Sequence, residues 1–351
     1  MQKQRDSNIE LLRCLAMFLI LVIHANFVSL PVINAAELQG NTLPSVFRFF
    51  IESVGIVAIN VFVFISGWYG IRPRKEKVLS LLFMVLWFFV GFYLVLLIAG
   101  KATLSWKEIA DALQLSDYEW FIKSYFLLII ISPILNSFNA TADEKTQRYV
   151  VIAFFLFEAV FGWIAGGRRF FVNGYGPLHF IGLYVTAGYI RNRLDAESAP
   201  QFFRTLFRLP AAADLGIFFL LAAVNTGLMI AGAMYSGSFS GVFSIAYAYC
   251  NPLVILGSIY LFLFFSKLKM APCKIVNWLG ASSFAVYLLH SEPHVRNLFV
   301  SPQVQYLYEN YSGLACLGII ALFLCLVFMA AMLLDLPRKL IWSRLVRLVK
   351  P

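Results

Sequence analysis

Ile9-Glu10-Leu11-Leu12-Arg13-Cys14-Leu15-Ala16-Met17-Phe18-Leu19-Ile20-Leu21-Val22-Ile23-His24-Ala25 is an apolar run interrupted by an arginine and a histidine. An α-helix turns about 100° per residue, so the step from Arg13 to His24 is roughly three turns. Both side chains therefore share one helix face, about 16 Å apart along the axis. About 20 such residues cross the hydrocarbon core of a bilayer. Ionisable groups inside a span are costly, rare and usually functional. The stretch predicts a membrane helix that carries chemistry.

The whole chain agrees with that reading. Of its 351 residues, 61% are hydrophobic and 13% charged, against about 45–50% and about 25% in soluble domains. Ten apolar segments of spanning or near-spanning length follow one another, at 9–30, 48–70, 78–99, 119–138, 148–166, 176–190, 211–234, 246–265, 277–290 and 312–334. The sixth and ninth are short. The expected fold is all-α, a polytopic membrane protein of about ten transmembrane helices in a single domain, 1–351. No hydrophilic stretch is long enough for an appended soluble domain. Arg13 breaks the first run early and no small-residue cleavage site follows, so this run reads as a retained helix rather than a signal peptide.

A net charge of +10 invites a nucleic-acid partner, but the basic residues sit in short loops between apolar spans. With the N-terminus in the cytoplasm, the cytoplasmic connections and tail collect 20 of the 28 Lys and Arg, against six outside. That is the positive-inside pattern, with both termini cytoplasmic. Residues 101–118 alternate apolar and charged positions at helical spacing, which predicts an amphipathic helix at the outer interface. Five cysteines lie in or beside apolar segments without a metal-ligand or redox spacing, and read as small hydrophobes.

Several residues invite a chemical reading. Arg13 either snorkels to the headgroups with Glu10 on its own face or acts on a ligand. His24 lies about 22 Å along the span, and a neutral imidazole there suits proton abstraction from a hydroxyl. Ser66 and Gly67 close the second span. The pair reads as a helix end or tight contact, with Ser66 as an acyl-enzyme nucleophile the alternative. His290, Glu292 and Arg296 cluster at the outer end of the ninth span and suit acceptor binding or plain interface decoration. His294 adds an i,i+4 partner to His290, but Pro293 interrupts a helix between them, so no metal is expected. His179 faces an outer cavity or water. Trp120 and Tyr287 read equally as aromatic-belt residues or as rings stacked on sugars.

Four motifs in order resemble one family. Arg13, ten residues, then His24 looks like the signature of the integral-membrane acyltransferase type 3 family. Val63-Phe64-Ile65-Ser66-Gly67-Trp68-Tyr69 is similar to its F-x-x-S-G-[FWY] helix ending, and Glu119-Trp120-Phe121-Ile122 with Ile131-Ser132-Pro133-Ile134-Leu135 to its W-[FY]-[LI] helix. Ser282-Ser283-Phe284-Ala285-Val286-Tyr287-Leu288-Leu289-His290 resembles its late S-[FY]-x-[IV]-Y-L-x-H segment. The loop after the second span departs, giving R-x-R at Arg72-Pro73-Arg74 rather than R-x-x-R.

The resemblance implies transfer of an acyl group, commonly acetyl, from cytoplasmic acyl-CoA to a hydroxyl of a surface polysaccharide or lipid-linked sugar. His24 is then the general base, with Arg13 on the donor side. Arg72, Arg74, Lys75 and Lys77 suit the phosphates of CoA, since arginine forks and lysine ammoniums bind phosphate oxygens. Acyl-CoA enters as co-substrate, with no bound cofactor and the cytoplasmic membrane as location. The competing class is a glycan or lipid transporter with Arg13 and His24 along its pathway, for which an inverted repeat would speak; no internal symmetry is visible.

Overall fold

The computed structural model describes residues 5–116, 119–165, 172–193 and 208–349, together with 201 and 205. Among them the chain is helical, with no strand. Fifteen helices carry the argument: α1 Ser7–Ile23, α2 Ala35–Gly40, α3 Thr42–Gly55, α4 Ala58–Tyr69, α5 Lys75–Ile98, α6 Trp106–Ala112, α7 Trp120–Thr141, α8 Glu144–Phe157, α9 Pro177–Arg193, α10 Ala211–Ser236, α11 Phe239–Ala246, α12 Pro252–Lys267, α13 Lys274–Ser291, α14 Ser301–Asn310 and α15 Gly313–Val349.

Each of the ten apolar segments coincides with a helix or a pair of them. Among the described residues, seven helical runs are long and apolar enough to cross a membrane: Ser7–Val28, Thr42–Tyr69, Lys75–Ile98, Trp120–Thr141, Glu144–Ile164, Ala211–Ser236 and Gly313–Arg347. The run Thr42–Tyr69 bends where α3 gives way to α4 at Ile56 and Val57. Helix α12 is apolar but shorter. The segments around 176–190 and 277–290 form α9 and α13, whose polar content and length keep them outside that group. The amphipathic stretch contains α6, which starts on Ser105; its hydroxyl accepts the Glu108 N–H and caps the helix.

Contacts divide the chain into two compact units. The first comprises residues 1–12, 32–72 and 120–272, the second 13–31, 73–119 and 273–351.

Within the first unit, α4 lies directly on α9. A Cβ on Gly67 would stand 2.6 Å from the Tyr184 carbonyl oxygen and 2.7 Å from its Cα, so only glycine lets the two backbones approach this closely. Helix α7 contains Pro133, whose missing N–H would have bonded the Ile129 carbonyl four residues back. The Ser132 hydroxyl donates to that carbonyl instead, at 2.7 Å. Helices α3 and α10 are joined by Ser53 and Thr226 hydroxyls 2.9 Å apart.

Within the second unit, α13 packs against α5 and α15 and buries Ser282, Ser283, Val286, Tyr287 and His290. Helix α15 contains Pro337, and the Trp87 indole of α5 donates to the Leu334 carbonyl beside it. Helix α1 does not end as an α-helix. From His24 to Val28 it widens to π geometry, closed by the Ser29 N–H on the His24 carbonyl at 2.9 Å. Single π-turns of this kind occur frequently at functional sites.

Candidate active site

The second unit gathers both residues singled out on the first helix. Arg13 is partly buried near the start of the run, and His24 opens the π-turn. His24 has a partner that its own helix does not disclose. Its Nδ1 lies 2.9 Å from Nε2 of His290, with ring centroids 4.9 Å apart and planes tilted by 57°. His290 is fully buried, and its Nδ1 is 2.6 Å from the Val286 carbonyl oxygen one turn earlier in α13. An ionisable residue from each of two helices thus forms one hydrogen-bonded pair.

The surroundings hold that pair in place. The Tyr287 ring stands edge-on to His290, at 5.8 Å and 90°, and its hydroxyl donates to Glu119 Oε2 at 2.7 Å. The Ser29 hydroxyl donates to the His24 carbonyl at 3.0 Å and contacts the Ser301 hydroxyl at 2.9 Å; Gln305 bonds the Ser29 carbonyl. The π-turn is therefore tied to α14. Arg296 lies within electrostatic reach of both imidazoles, and its Nε donates to Asn297 at 3.3 Å.

Glu292 and His294 bond to other groups than the His24–His290 pair. Glu292 is buried; Oε2 accepts the Val295 N–H at 2.7 Å and Oε1 meets His294 Nδ1 at 2.9 Å. The far nitrogen of His294 is 3.6 Å from Glu108 Oε2 on α6. Glu108 also accepts the Thr103 hydroxyl at 2.7 Å, and this bond holds its carboxyl below the usual carboxylate range. His290, Glu292 and His294 do not converge on one point, and no metal-sized group of His, Cys, Asp and Glu occurs among the described residues. Ser282 accepts a hydrogen bond from the Lys339 ammonium. That ammonium also pairs with Asp335 at 3.1 Å, and Arg338 pairs with Asp335 at 2.5 Å. Arg74, Lys75 and Lys77 are exposed at the start of α5.

The remaining candidates belong to the first unit. Arg72 is exposed. Ser66 donates to the Phe62 carbonyl at 3.1 Å and meets the Tyr125 hydroxyl at 3.1 Å; neither partner is a base, and the Ser66-Gly67 pair is the tight contact already described. Trp120 packs on Tyr175, Tyr249 and Phe180, with centroids 4.7, 5.6 and 5.8 Å away. His179 faces neither water nor an open cavity. It has no exposed surface and lies between Glu158 and Asn60, its Nδ1 2.6 Å from Glu158 Oε1 and its Nε2 2.9 Å from Asn60 Oδ1.

Sequence reasoning passed over Glu119, Glu158, Asn60 and the Asp335–Arg338–Lys339 cluster. Glu158 had a signal as strong as that of His24, an ionisable residue inside an apolar run. Glu119 stood only at the head of the Glu119-Trp120-Phe121-Ile122 motif, because nothing local announces that a carboxylate at a helix start meets a tyrosine 168 residues away.

No curated protein and no solved structure matches the chain. A family model described as an acyltransferase domain, type 3, matches residues 6–336, nearly the whole length. The chain belongs to that family and is a multi-pass membrane acyltransferase.

Proposed function

We propose, taking family membership as the premise, that the protein moves an acyl group, acetyl by preference, from cytoplasmic acyl-CoA to a hydroxyl of a surface polysaccharide or its lipid-linked precursor. His24 is the general base. The observation that carries this reading is the His24–His290 hydrogen bond on the helix that also bears Arg13. A half-buried imidazole with one nitrogen engaged is held in orientation, and a general base must be positioned before its basicity counts.

In this reading Arg13 meets the donor's phosphates or thioester about 16 Å before the base, at the cytoplasmic end. Arg72, Arg74, Lys75 and Lys77 supply further cationic contacts for the CoA phosphates. The topology that suits it has ten spans, with α9, α12 and α13 completing the seven long ones, both termini cytoplasmic and the cytoplasmic membrane as the site. The Lys and Arg bias supports that orientation. The acceptor hydroxyl attacks the thioester directly, without a serine intermediate, since Ser66 lacks a basic partner among its bonds. His24→Ala abolishes acetyl transfer from acetyl-CoA in membranes while the protein still folds and inserts. Transfer at the wild-type rate in that variant refutes the mechanism. Mass analysis of cell-surface glycans with and without the protein identifies the acyl group, because acetyl and succinyl add different masses.

A further inference from the structure

The His24–His290 contact has a direction. Val286 offers His290 a carbonyl oxygen at 2.6 Å, which accepts only, so His290 Nδ1 carries a proton. A neutral imidazole has one N–H, which leaves a lone pair on His290 Nε2. His24 Nδ1, 2.9 Å from that lone pair, must then donate to it. The proton of His24 is thereby placed on Nδ1, and its Nε2 is left with a free lone pair. A backbone carbonyl on α13 thus selects, through His290, the tautomer of a ring on another helix.

We infer that His290 is a positioning residue for the transfer reaction: it fixes His24 in the Nδ1–H tautomer and so makes His24 Nε2 the atom that removes the acceptor proton. This rests on the reading of His24 as general base. In the step, the acceptor oxygen forms a bond to the thioester carbonyl carbon while its proton passes to His24 Nε2. The imidazolium so formed keeps its Nδ1–H on His290 Nε2, which spreads and stabilises the charge. The tetrahedral intermediate then collapses, the C–S bond breaks, and the departing thiolate takes the proton from Nε2. The products are the ester and free CoA thiol, and the histidine pair returns to its starting state. The opposite tautomer would present a donor where the base is needed and turn two lone pairs toward each other. Tyr287, anchored on Glu119, packs edge-on against the His290 ring that sets this direction.

Two near-isosteric substitutions separate orientation from packing. The His290→Gln amide can donate to the Val286 carbonyl and accept from His24 Nδ1–H; the His290→Met side chain fills similar space with only a weak acceptor. Release of free thiol from acetyl-CoA is followed in native membrane vesicles, with the endogenous glycolipid as acceptor. His290→Met lowers kcat by about 100-fold or more, within the range a general base contributes, and leaves KM for acetyl-CoA within about threefold of wild type. His290→Gln recovers about tenfold or more of that loss. A Met variant within about threefold of the wild-type kcat, or a Gln variant no faster than the Met variant, overturns the positioning role. His24→Ala measured alongside separates the two readings: if it is inactive while His290→Met is fully active, only the role of His290 falls. If His24→Ala itself turns over normally, the base assignment falls.

Discussion

Arg13 and His24 ask different things of an experiment, because one sits where a donor would be held and the other where a proton would move. Arg13→Ala raises KM for acetyl-CoA about tenfold or more, the loss of a charge-assisted contact, with a smaller change in kcat. Steady-state kinetics with varied acetyl-CoA checks it, and an unchanged KM removes Arg13 from donor binding. The spacing of these two residues was legible because helical periodicity is a local property. Their surroundings were not. His290 stood out in the sequence, yet it read as an acceptor contact or interface decoration at a helix end, since nothing local states that a residue 266 positions away supplies its partner. His179 read as facing an outer cavity or water for the same reason; Glu158, which lies against it, belongs to another helix.

The helices themselves were legible wherever apolar length sufficed, and less so where a helix depends on close approach or capping. Gly67 is the clearest case. Gly67→Ala forces α4 and α9 apart or strains them, at a cost of about 1–3 kcal/mol, because the added carbon meets backbone rather than a side chain that can swing away. Thermal unfolding in detergent reads this as a lowered midpoint; an unchanged midpoint would mean that the interface can slide. Helix α6 shows a softer dependence. Glu108 has its carboxyl held low, first by the Thr103 hydroxyl, so its bonds stabilise the turn fully above the usual carboxylate range. That support is lost as pH falls through the depressed value. Protection of the Thr103 amide, whose N–H bonds Glu108 Oε2 at 2.9 Å, measured against the intrinsic exchange rate at each pH, should fall over that acidic interval and hold in the neutral range.

For the molecule as a whole, composition and segment count gave the class, and the Lys and Arg bias gave an orientation to test. In a background without the five native cysteines, Lys77→Cys should react with a membrane-impermeant maleimide only after the membrane is breached. Leu104→Cys, at a position 75% exposed, should react in intact spheroplasts; the reverse pattern inverts the topology. What the sequence could not convey is how its motifs are shared out. Arg13, His24, Ser282, Tyr287 and His290 fall in one compact unit, while Ser66, Gly67, Trp120 and His179 fall in the other. Four motifs met in chain order therefore do not form one list of equals. The π-turn at His24 adds a last consequence, one of reading frame. A π-turn holds one residue more than an α-turn, so the chain after His24 is out of step with the helix before it. Deleting Ala25 would turn the five-residue step from His24 to Ser29 into the four-residue step of an α-turn, keep the Arg13-to-His24 interval, and leave Ser29 facing Ser301, since either step closes about one turn. Adding one residue before His24 would instead swing the imidazole itself by about 100°, away from His290. Two single-residue length changes a few positions apart thus ask separate questions, one about the wide turn at the base and one about its aim.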